Sequence, residues 1–407
     1  MKILVTTYFT PYKENIRGIS ALLYYMLKAR PQNIDIILFS YNANNLDVHQ
    51  IETVEKELNI KVQLLLFPKW YLFVTRHSIL NKMCSFLLPR HINTYIPVPE
   101  TVRKQIEQGC DFVWIYPYFF YKWSEEFPNM KFVVTGCDNN VLFYDRCKTD
   151  PFFHTLQKRM SLNIHRRKAL YMEKGFSKDN ILVHYVGKED VTAYERRTKG
   201  RNAFFCNHPH YKVLGHNNRF NFKKIRVLIA GKNDFYMKSK AEPLFAKIIE
   251  TAHELIDKVQ ITFLGKGWEN YVLQLRCNGF ECNQITWVDD YIEEIIKYDV
   301  QITPIAVGTG TKGKVLDALA NGLLCIGTDI ALENIEVENK KSCFIYRNES
   351  EVVSLLLDIY SDREKYEQIA EEGQRCVLKR HSPQFVSNMF FNRIKEFKID
   401  LHENRKV

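Results

Sequence analysis

The sequence predicts an α/β fold with two doubly wound parallel sheets. Short apolar runs alternate with segments of helical periodicity along the chain, which is the pattern of parallel strands with helices on both faces of the sheet. The alternation restarts near the middle of the chain, so it describes two halves of similar design. A chain of 407 residues also exceeds what one compact core accommodates and suits two domains.

The first half contains the strands and helices of one predicted sheet. The strand candidates are Lys2–Thr7, Ile34–Ser40, Val62–Phe67, Phe112–Tyr116, Lys131–Thr135 and a strand that ends at Tyr185. Helical periodicity covers Ile16–Ala29 and Val48–Leu58. The turn that contains Gly18 and opens the first helix is either a simple helix start or a phosphate contact.

The second half repeats the pattern. Its strand candidates are Arg226–Ala230, Gln260–Leu264, Gln284–Trp287, Val300–Pro304 and Leu323–Gly327, with helices predicted at Leu244–Leu255, Lys314–Ala320 and Pro383–Phe397. The junction falls within the polar, basic stretch Arg197–Lys224. We therefore predict one domain at residues 1–215, a second at 216–384, and a C-terminal crossover helix and tail at 385–407.

Composition narrows the class of protein. The net charge of +10 and the pI near 8.9 suggest polyanionic partners, with nucleotide phosphates, anionic membrane and nucleic acid as candidates. Ten scattered cysteines without a pairing pattern are typical of reduced thiols in the cytoplasm, and Cys277 and Cys282 lack the second pair that zinc needs. The N-terminal apolar run is too short for a signal peptide, and no run reaches a membrane span. We expect a cytoplasmic protein that is soluble or attached to a membrane surface.

The most informative segment follows the strand candidate Val300–Pro304. From residue 308 it reads GTGTKGKVLDALANGLLCIGT. Glycines let the backbone approach a ligand closely, and amides at a helix start attract anions. Lys312 and Lys314 add positive charge, while Asp317 lies about one turn into the helix. The combination suits a diphosphate beside a pair of sugar hydroxyls; a tight turn that needs glycine for steric reasons alone is the alternative.

Two common phosphate motifs do not describe this loop. The pattern GxxxxGK[ST] fails because Lys314 is followed by Val315. The loop also does not follow the first strand of a domain, as a dinucleotide-binding GxGxxG does.

The segment instead resembles the C-terminal signature of the family 4 (group 1) glycosyltransferases, whose motif commonly reads GxGxxxKxLEAxAxGxPVVxT. The segment VLIAGKNDFYMKSKAEPLF, which begins at Val227, is similar to the strand and phosphate-binding loop that open the family's second domain. The resemblance is good over residues 225–345 and looser over 1–220. It implies the GT-B fold, in which two Rossmann-like domains face each other across a cleft and the final helix returns to the first domain.

The resemblance also implies roles for five residues of the loop and helix. Gly310, Thr311 and Lys312 would offer backbone amides to the donor diphosphate. Lys314 would neutralise the diphosphate directly. Asp317 takes the place of the family's glutamate that holds the ribose hydroxyls.

The second domain's opening loop completes the implied phosphate site. Lys232 and Lys238 have the spacing of an arginine and a lysine that grip the phosphates in the family, and Lys240 is an alternative to Lys238. Lysine supplies charge without the two-pronged hydrogen bonding of guanidinium. Thr309 replaces a glutamate that contacts the donor sugar in the common pattern, and the ribose glutamate is shortened to Asp317, so an inactive relative is an alternative.

In the first half, Asp138 follows a strand at its carboxyl end, where ligands of doubly wound sheets bind. It either positions a sugar hydroxyl, assists the acceptor hydroxyl, or caps the following turn. Arg146 either caps or reaches the cleft. Asp190 is interpreted as a first-turn helix residue, and His208 and His210 as part of a structural linker.

Basic and aromatic residues alternate in Pro68–Pro99, and a second basic cluster lies between Lys158 and Lys168. Such segments either lie on anionic lipid or are solvated helix faces over a core. No nucleic-acid-binding module is visible, so nucleic acid is not a predicted partner.

The resemblance implies a hexosyl- or other glycosyltransferase that moves a sugar from a nucleotide-sugar donor to an acceptor hydroxyl with retention. No cofactor and no metal are expected, because lysines would do the work of a divalent ion. The expected acceptor is a glycan or a lipid-linked glycan in bacterial surface polysaccharide assembly, at the inner face of the membrane. Two alternatives remain: a catalytically degenerate GT-B scaffold or sugar-binding protein, and a GT-B-like sugar-nucleotide epimerase.

Overall fold

The computed structural model describes residues 1–14, 19–214, 220–221 and 223–403, with side chains up to residue 397. The predicted contact at Gly18, the predicted boundary between residues 215 and 216, and residues 404–407 of the predicted tail lie outside the described residues. The chain divides into two compact units. The first comprises Met1–Asp145, Met160–Pro209 and Pro383–Val407, and the second comprises Arg146–Arg159 and His210–Ser382.

The first unit is built on a seven-stranded parallel sheet. Its strands are β1 (Lys2–Thr7), β2 (Asp35–Ser40), β3 (Val62–Leu64), β4 (Phe112–Tyr116), β5 (Phe132–Cys137), β6 (Ile181–Tyr185) and β7 (Ala203–Phe205). Their order across the sheet is β3-β2-β1-β4-β5-β6-β7, with Ile3 of β1 opposite Ile36 and Phe112. Ile3, Leu4 and Val5 are all fully buried, as expected for a central parallel strand covered on both faces.

Among the described residues, eight α-helices precede the last strand of the first sheet. They are α1 (Ser20–Lys28), α2 (Val48–Leu58), α3 (Lys69–Arg76), α4 (Ser78–Leu87), α5 (Glu100–Glu107), α6 (Asn140–Thr149), α7 (Leu156–Phe176) and α8 (Lys188–Thr198). Local sequence explains the bounds of α2. Asp47 and Gln50 form a capping box at its start, and Asn59, with φ of +49°, ends it in the left-handed conformation.

The second unit is built on a six-stranded parallel sheet. Its strands are β8 (Ile225–Ala230), β9 (Val259–Leu264), β10 (Glu281–Ile285), β11 (Val300–Thr303), β12 (Leu324–Gly327) and β13 (Phe344–Ile345), in the order β10-β9-β8-β11-β12-β13. Its helices are α9 (Lys238–Glu250), α10 (Ala252–Leu255), α11 (Glu269–Cys277), α12 (Tyr291–Ile295), α13 (Gly313–Ala320), α14 (Asp329–Leu332), α15 (Glu349–Ser361) and α16 (Arg363–Arg380).

The last helix, α17 (Pro383–Glu403), is part of the first unit. The Ser387 hydroxyl donates a hydrogen bond of 2.9 Å to the carbonyl of Met26 in α1. The Phe390 ring lies 4.4 Å from the ring of Trp114 in β4. The apolar face of α17 therefore covers one face of the first sheet.

The two parallel sheets with helices confirm the predicted fold class. Several predicted elements have different bounds in the structure, and three of them are informative. The strand predicted at Gln284–Trp287 is Glu281–Ile285. This edge strand begins with exposed polar residues, so its apolar pattern in the sequence starts later than the strand itself. The strand predicted at Val62–Phe67 ends at Leu64, and the helix predicted at Leu244–Leu255 is two helices that start at Lys238. Within the described part of the chain, no helix combines the length and apolar character needed to cross a bilayer.

Candidate functional site

The loop that joins β11 to α13 ends at an open helix start. Gly310 has a φ of +61°, a left-handed conformation that glycine adopts without strain. The first turn of α13 carries no acidic residue, and Lys312 at its N-cap makes no capping hydrogen bond through its side chain. A Cβ placed on Gly313 would meet no atom within 4 Å, so the approach to this helix start is unobstructed. Such an uncapped start favours an anion.

Lys314 and Asp317 lie three residues apart in α13 and therefore share one side of the helix. Burial raises the pKa of Asp317 to about 7, although the Lys314 charge acts to lower it. Burial lowers the pKa of Lys314, against the carboxylates of Asp317 and Asp234, which raise it. Lys314 still keeps exposed surface. Protein atoms therefore crowd both groups, while a ligand can still reach the exposed Lys314 side chain.

The turn after β8 lies close to Lys314. Gly231 has a φ of +134°, and its carbonyl accepts a 2.8 Å hydrogen bond from Nε1 of the buried Trp268. A Cβ on Gly265 would lie 2.1 Å from the Gly231 oxygen, so the two loops cross where only glycine fits. A Cβ on Gly231 would lie 3.9 Å from Nζ of Lys314. The Lys314 ammonium therefore lies directly over the Gly231 turn.

The loop after β8 is also hydrogen-bonded to the glycine loop. The Tyr236 carbonyl accepts hydrogen bonds from the amides of Ala306, at 2.7 Å, and Val307, at 3.4 Å. The Asp234 carboxylate accepts a 3.0 Å hydrogen bond from the Tyr236 amide, which fixes the turn. These bonds hold the two loops in one rigid arrangement, with Asp234 close enough to Lys314 to affect its pKa.

The predicted lysines of this loop have exposed side chains. Lys232 directly follows Gly231 and so lies beside the turn that Lys314 covers. Lys238 is the first residue of α9, at the other end of the loop. The structure thus brings together Lys314, Asp317 and the Gly231 turn that carries Lys232.

Lys312 has a different environment from Lys314. Its ammonium donates a 2.9 Å hydrogen bond to the Gly310 carbonyl and lies 3.5 Å from a Glu333 oxygen, and its side chain is only 9% exposed. Arg146 makes a two-pronged pair with Glu333, at 2.7 and 2.6 Å, and donates to the Gly308 carbonyl at 2.6 Å. The Lys312 side chain therefore stabilises the shape of the loop. The predicted contact of Lys312 with a ligand concerns its backbone amide and stays a prediction.

Arg146 and Glu333 are the residues that sequence reasoning missed as loop supports. They are 187 residues apart in the chain, and Arg146 is 162 residues from Gly308. Neither belongs to a motif, so their role depends on the packing of the segment Arg146–Arg159 into the second unit. The one signal in the sequence was a carboxylate, that of Glu333, in the same half of the chain as the lysines of the glycine loop. It lies outside the loop itself.

Asp138 lies in the first unit, while the other predicted site residues belong to the second. It is exposed at the end of β5, where Cys137 has a φ of +55°. The next amide, of Asn139, donates a 2.5 Å hydrogen bond to the buried Asp190 carboxylate. Arg197 then donates to the Asn139 side chain at 2.7 Å. Asp190 is the third residue of α8, so it acts here as a structural support of the turn.

This second-unit arrangement can hold two chemical groups side by side. The helix start and the Lys314 ammonium are suited to the charge of a diphosphate. The Asp317 carboxylate can accept hydrogen bonds from a vicinal diol one helical turn away. Among the described residues, no group of three His, Cys, Asp or Glu side chains could hold a metal ion.

Comparison with known proteins gives a family match for part of the chain. Residues 222–362 match the model of the family described as glycosyl transferases group 1. No curated protein matches the sequence of the chain.

Solved structures match almost the whole chain at low sequence identity. The structure of Alr3699/HepE from Anabaena in complex with UDP has a TM-score of 0.61 and 12% identity, covering 97% of this chain and 100% of that one. Sucrose-phosphate synthase from Thermosynechococcus elongatus gives 0.62 and 11%, covering 97% and 99%. TarM from S. aureus, in complex with fondaparinux, alpha-GlcNAc-glycerol and UDP, gives 0.59 and 9%, covering 96% and 99%. At these identities the likeness shows a shared fold.

Proposed function

We propose that this chain is a glycosyltransferase of group 1 with the GT-B fold, which transfers a hexosyl group from a nucleoside diphosphate sugar to an acceptor hydroxyl. One observation carries the proposal. Lys314, Asp317 and the Gly231 turn lie together at the start of α13, which has no side-chain cap. A nucleoside diphosphate has the two groups that such an arrangement suits, a diphosphate and a ribose diol.

Each residue of the site has a proposed role toward the donor. The ammonium of Lys314 and the amides from Gly310 to Lys312 bind the diphosphate, and Asp317 accepts hydrogen bonds from the ribose hydroxyls. Lys232 and Lys238 add positive charge at the leaving diphosphate. These charges are fixed before the reaction, so they stabilise the charge that develops as the donor bond breaks. In this proposal the lysines supply the neutralisation for which other enzymes use a divalent ion.

The proposed reaction exchanges one bond of the anomeric carbon for another. The bond from that carbon to the diphosphate oxygen breaks through an oxocarbenium-like state, with the electron pair leaving on the diphosphate. The acceptor oxygen forms the new bond and passes its proton to the departing diphosphate, and the configuration is retained. Asp138 is proposed to orient a hydroxyl of the sugar or the acceptor.

The acceptor and the cellular setting are part of the same proposal. We assign the chain to bacterial surface polysaccharide or lipid-linked glycan assembly, in the cytoplasm and at the inner face of the cell membrane. Similar structures support this setting: TarM binds alpha-GlcNAc-glycerol, and another, WaaB, is a lipopolysaccharide outer core galactosyltransferase whose chain covers 97% of this one at a TM-score of 0.58 and 12% identity.

Calorimetry with UDP, GDP, ADP and dTDP tests the donor site. At least one nucleotide should bind, and Lys314→Ala should lower its affinity about 30-fold, the effect of losing one charge-assisted interaction. Asp317→Ala should lower it about tenfold. Lys365→Ala, which removes an exposed lysine of α16, is the matched control and should leave affinity unchanged. Unchanged affinity in both site variants would disprove the assignment.

Turnover assays separate transfer from the alternatives. Release of nucleoside diphosphate in the presence of a glycan acceptor supports transfer. A scaffold or sugar-binding protein would bind the nucleotide without releasing diphosphate from any donor sugar. An epimerase would convert one nucleotide sugar into another with no acceptor present.

A further inference from the structure

Helices α3 and α4 of the first unit form an exposed helical pair, here called the α3–α4 pair. It rests on the core through Tyr71, whose hydroxyl lies 2.8 Å from that of Tyr8 and donates to Asn93 at 2.8 Å. Cys84 and Leu88 are half-buried against the same core. The pair is therefore an anchored part of the fold, and its outer surface is a defined face.

That outer face of α4 is apolar. Ile79, Met83, Phe86 and Leu87 are 73%, 50%, 63% and 70% exposed, and no residue of α4 is fully buried. Their spacing of four, three and one residues places them on a single side of the helix. A soluble monomer rarely leaves a continuous apolar helix face in water, so a surface of this kind indicates a docking site.

Further apolar side chains are exposed on α3 and in the loop before it. Trp70 and Phe73 are exposed on α3, and Leu66 is exposed just before α3. An aromatic ring such as that of Trp70 is favoured at a membrane–water interface, where its apolar body and its polar N–H are both accommodated.

The charged residues in the chain segment that carries this face all have one sign. Between Glu57 and Glu100 the chain contains five lysines and arginines and no acidic residue. Three of these basic residues, Lys69, Arg76 and Lys82, are exposed on the α3–α4 pair itself. Helix α4 contacts α7, because Lys168 of α7 donates a hydrogen bond to the Ser85 carbonyl.

We infer that the α3–α4 pair docks on an anionic lipid bilayer, with the apolar face of α4 at the acyl boundary and the basic residues among the headgroups. Charge complementarity selects this occupant over a second copy of the chain, since two copies would bring like charges together. Apolar burial and basic charge act together in this mode of binding. The inference rests on the proposed membrane location, but it concerns a surface of the first unit and involves no donor-site residue.

Vesicle flotation of the full chain tests the inference without any donor. The protein should bind vesicles of phosphatidylcholine with phosphatidylglycerol at low salt, and vesicles of phosphatidylcholine alone much more weakly. Ile79→Ser with Phe86→Ser should weaken binding about tenfold or more. Lys69→Gln with Lys82→Gln should weaken it about 30-fold on the anionic vesicles. Leu273→Ser, which changes an equally exposed leucine of the second unit, is the matched control and should bind like the parent.

Tryptophan fluorescence identifies the surface that meets the lipid. Trp70 and Trp287 are exposed, whereas Trp114, Trp123 and Trp268 are buried. Brominated lipid should quench the fluorescence of the parent and of Trp287→Phe, and Trp70→Phe should lose that quenching. Thermal unfolding and nucleotide binding should be unchanged in every variant.

Three outcomes would overturn the inference. One is a parent protein that stays unbound on anionic vesicles at low salt, and another is binding that the Ile79 and Phe86 substitutions leave unchanged. The third is a dimer in solution that these substitutions dissociate, which would assign the face to a second copy. None of them depends on nucleotide binding or turnover, so the proposed glycosyl transfer is judged separately.

Discussion

Charged side chains hold two strand-to-helix turns of this protein, but they bind different backbone groups at the two turns. At the Asp138 turn, the buried Asp190 already accepts a hydrogen bond from the following backbone amide. At the glycine loop, Arg146 and Lys312 donate to carbonyls and both pair with Glu333, while the start of α13 has no side-chain cap. At the first turn a carboxylate thus binds a backbone amide, whereas at the second the cationic side chains bind carbonyls and no side chain caps the helix start. We therefore expect an anion to bind at the second turn. At the first turn we expect the Asp138 side chain to contact the ligand.

The largest expected effect comes from breaking the charge cluster of the glycine loop. Glu333→Ala leaves Arg146 and Lys312 without their shared carboxylate in a mostly buried position. Removal of one partner from such a cluster should lower the free energy of unfolding by about 3 kcal/mol, measured by urea denaturation. Glu338→Ala is the control, because its pair with Lys341 is exposed and should contribute less than about 0.5 kcal/mol. Equal effects of the two changes would show that the cluster does not hold the loop.

The two lysines of the loop should respond in opposite ways. Lys314→Ala should weaken nucleoside diphosphate binding about 30-fold with little change in thermal stability, because it removes an open charge. Lys312→Ala should lower the free energy of unfolding by about 1 kcal/mol, since the Gly310 carbonyl loses a donor. Calorimetry and thermal unfolding on both variants measure the contrast. A larger loss of binding in Lys312→Ala than in Lys314→Ala would reverse the assignment of the two side chains.

The smallest expected effect is a pH dependence that Asp317 produces. Its pKa is raised to about 7, so the carboxylate that accepts ribose hydroxyls is lost as the pH falls through 7. Affinity for the nucleotide should fall about tenfold from pH 8 to pH 6. Asp317→Asn should remove this part of the pH profile, while the titration of the nucleotide's own phosphate stays. A profile with the same slope in both proteins would contradict the role of Asp317.

Stability gives an independent check on the same group. Because the folded-state pKa of Asp317 lies above its unfolded value, the folded protein binds more protons between about pH 4 and pH 7, and stability falls as the pH rises through that window. Above pH 7 the carboxylate is ionised in both states and its burial is unfavourable. Asp317→Asn should therefore raise the midpoint of thermal unfolding at pH 8, by about 2 °C for a group still in contact with water, and leave it nearly unchanged at pH 4.

Much of the fold could be predicted from the sequence because parallel sheets buried on both faces produce continuous apolar runs. The strands at Lys2–Thr7 and Phe112–Tyr116 and the helix at Val48–Leu58 are examples, and their predicted bounds agree with the structure. Prediction failed at sheet edges such as Glu281–Ile285, where one face is wet and the apolar signal is weak. It also did not delimit α3 and α4, whose apolar residues face outward.

The sequence alone predicted the glycine loop and its candidate binding residues. The pattern of glycines, lysines and a carboxylate is local, so its members lie within a few residues of one another in the chain. Only the tertiary structure decided which lysine is open and which is engaged. That difference depends on Arg146 and Glu333, which reach the loop from distant parts of the chain. Tertiary structure also decided the near-neutral pKa of Asp317, since desolvation depends on the atoms that packing brings around a group and not on its neighbours in sequence.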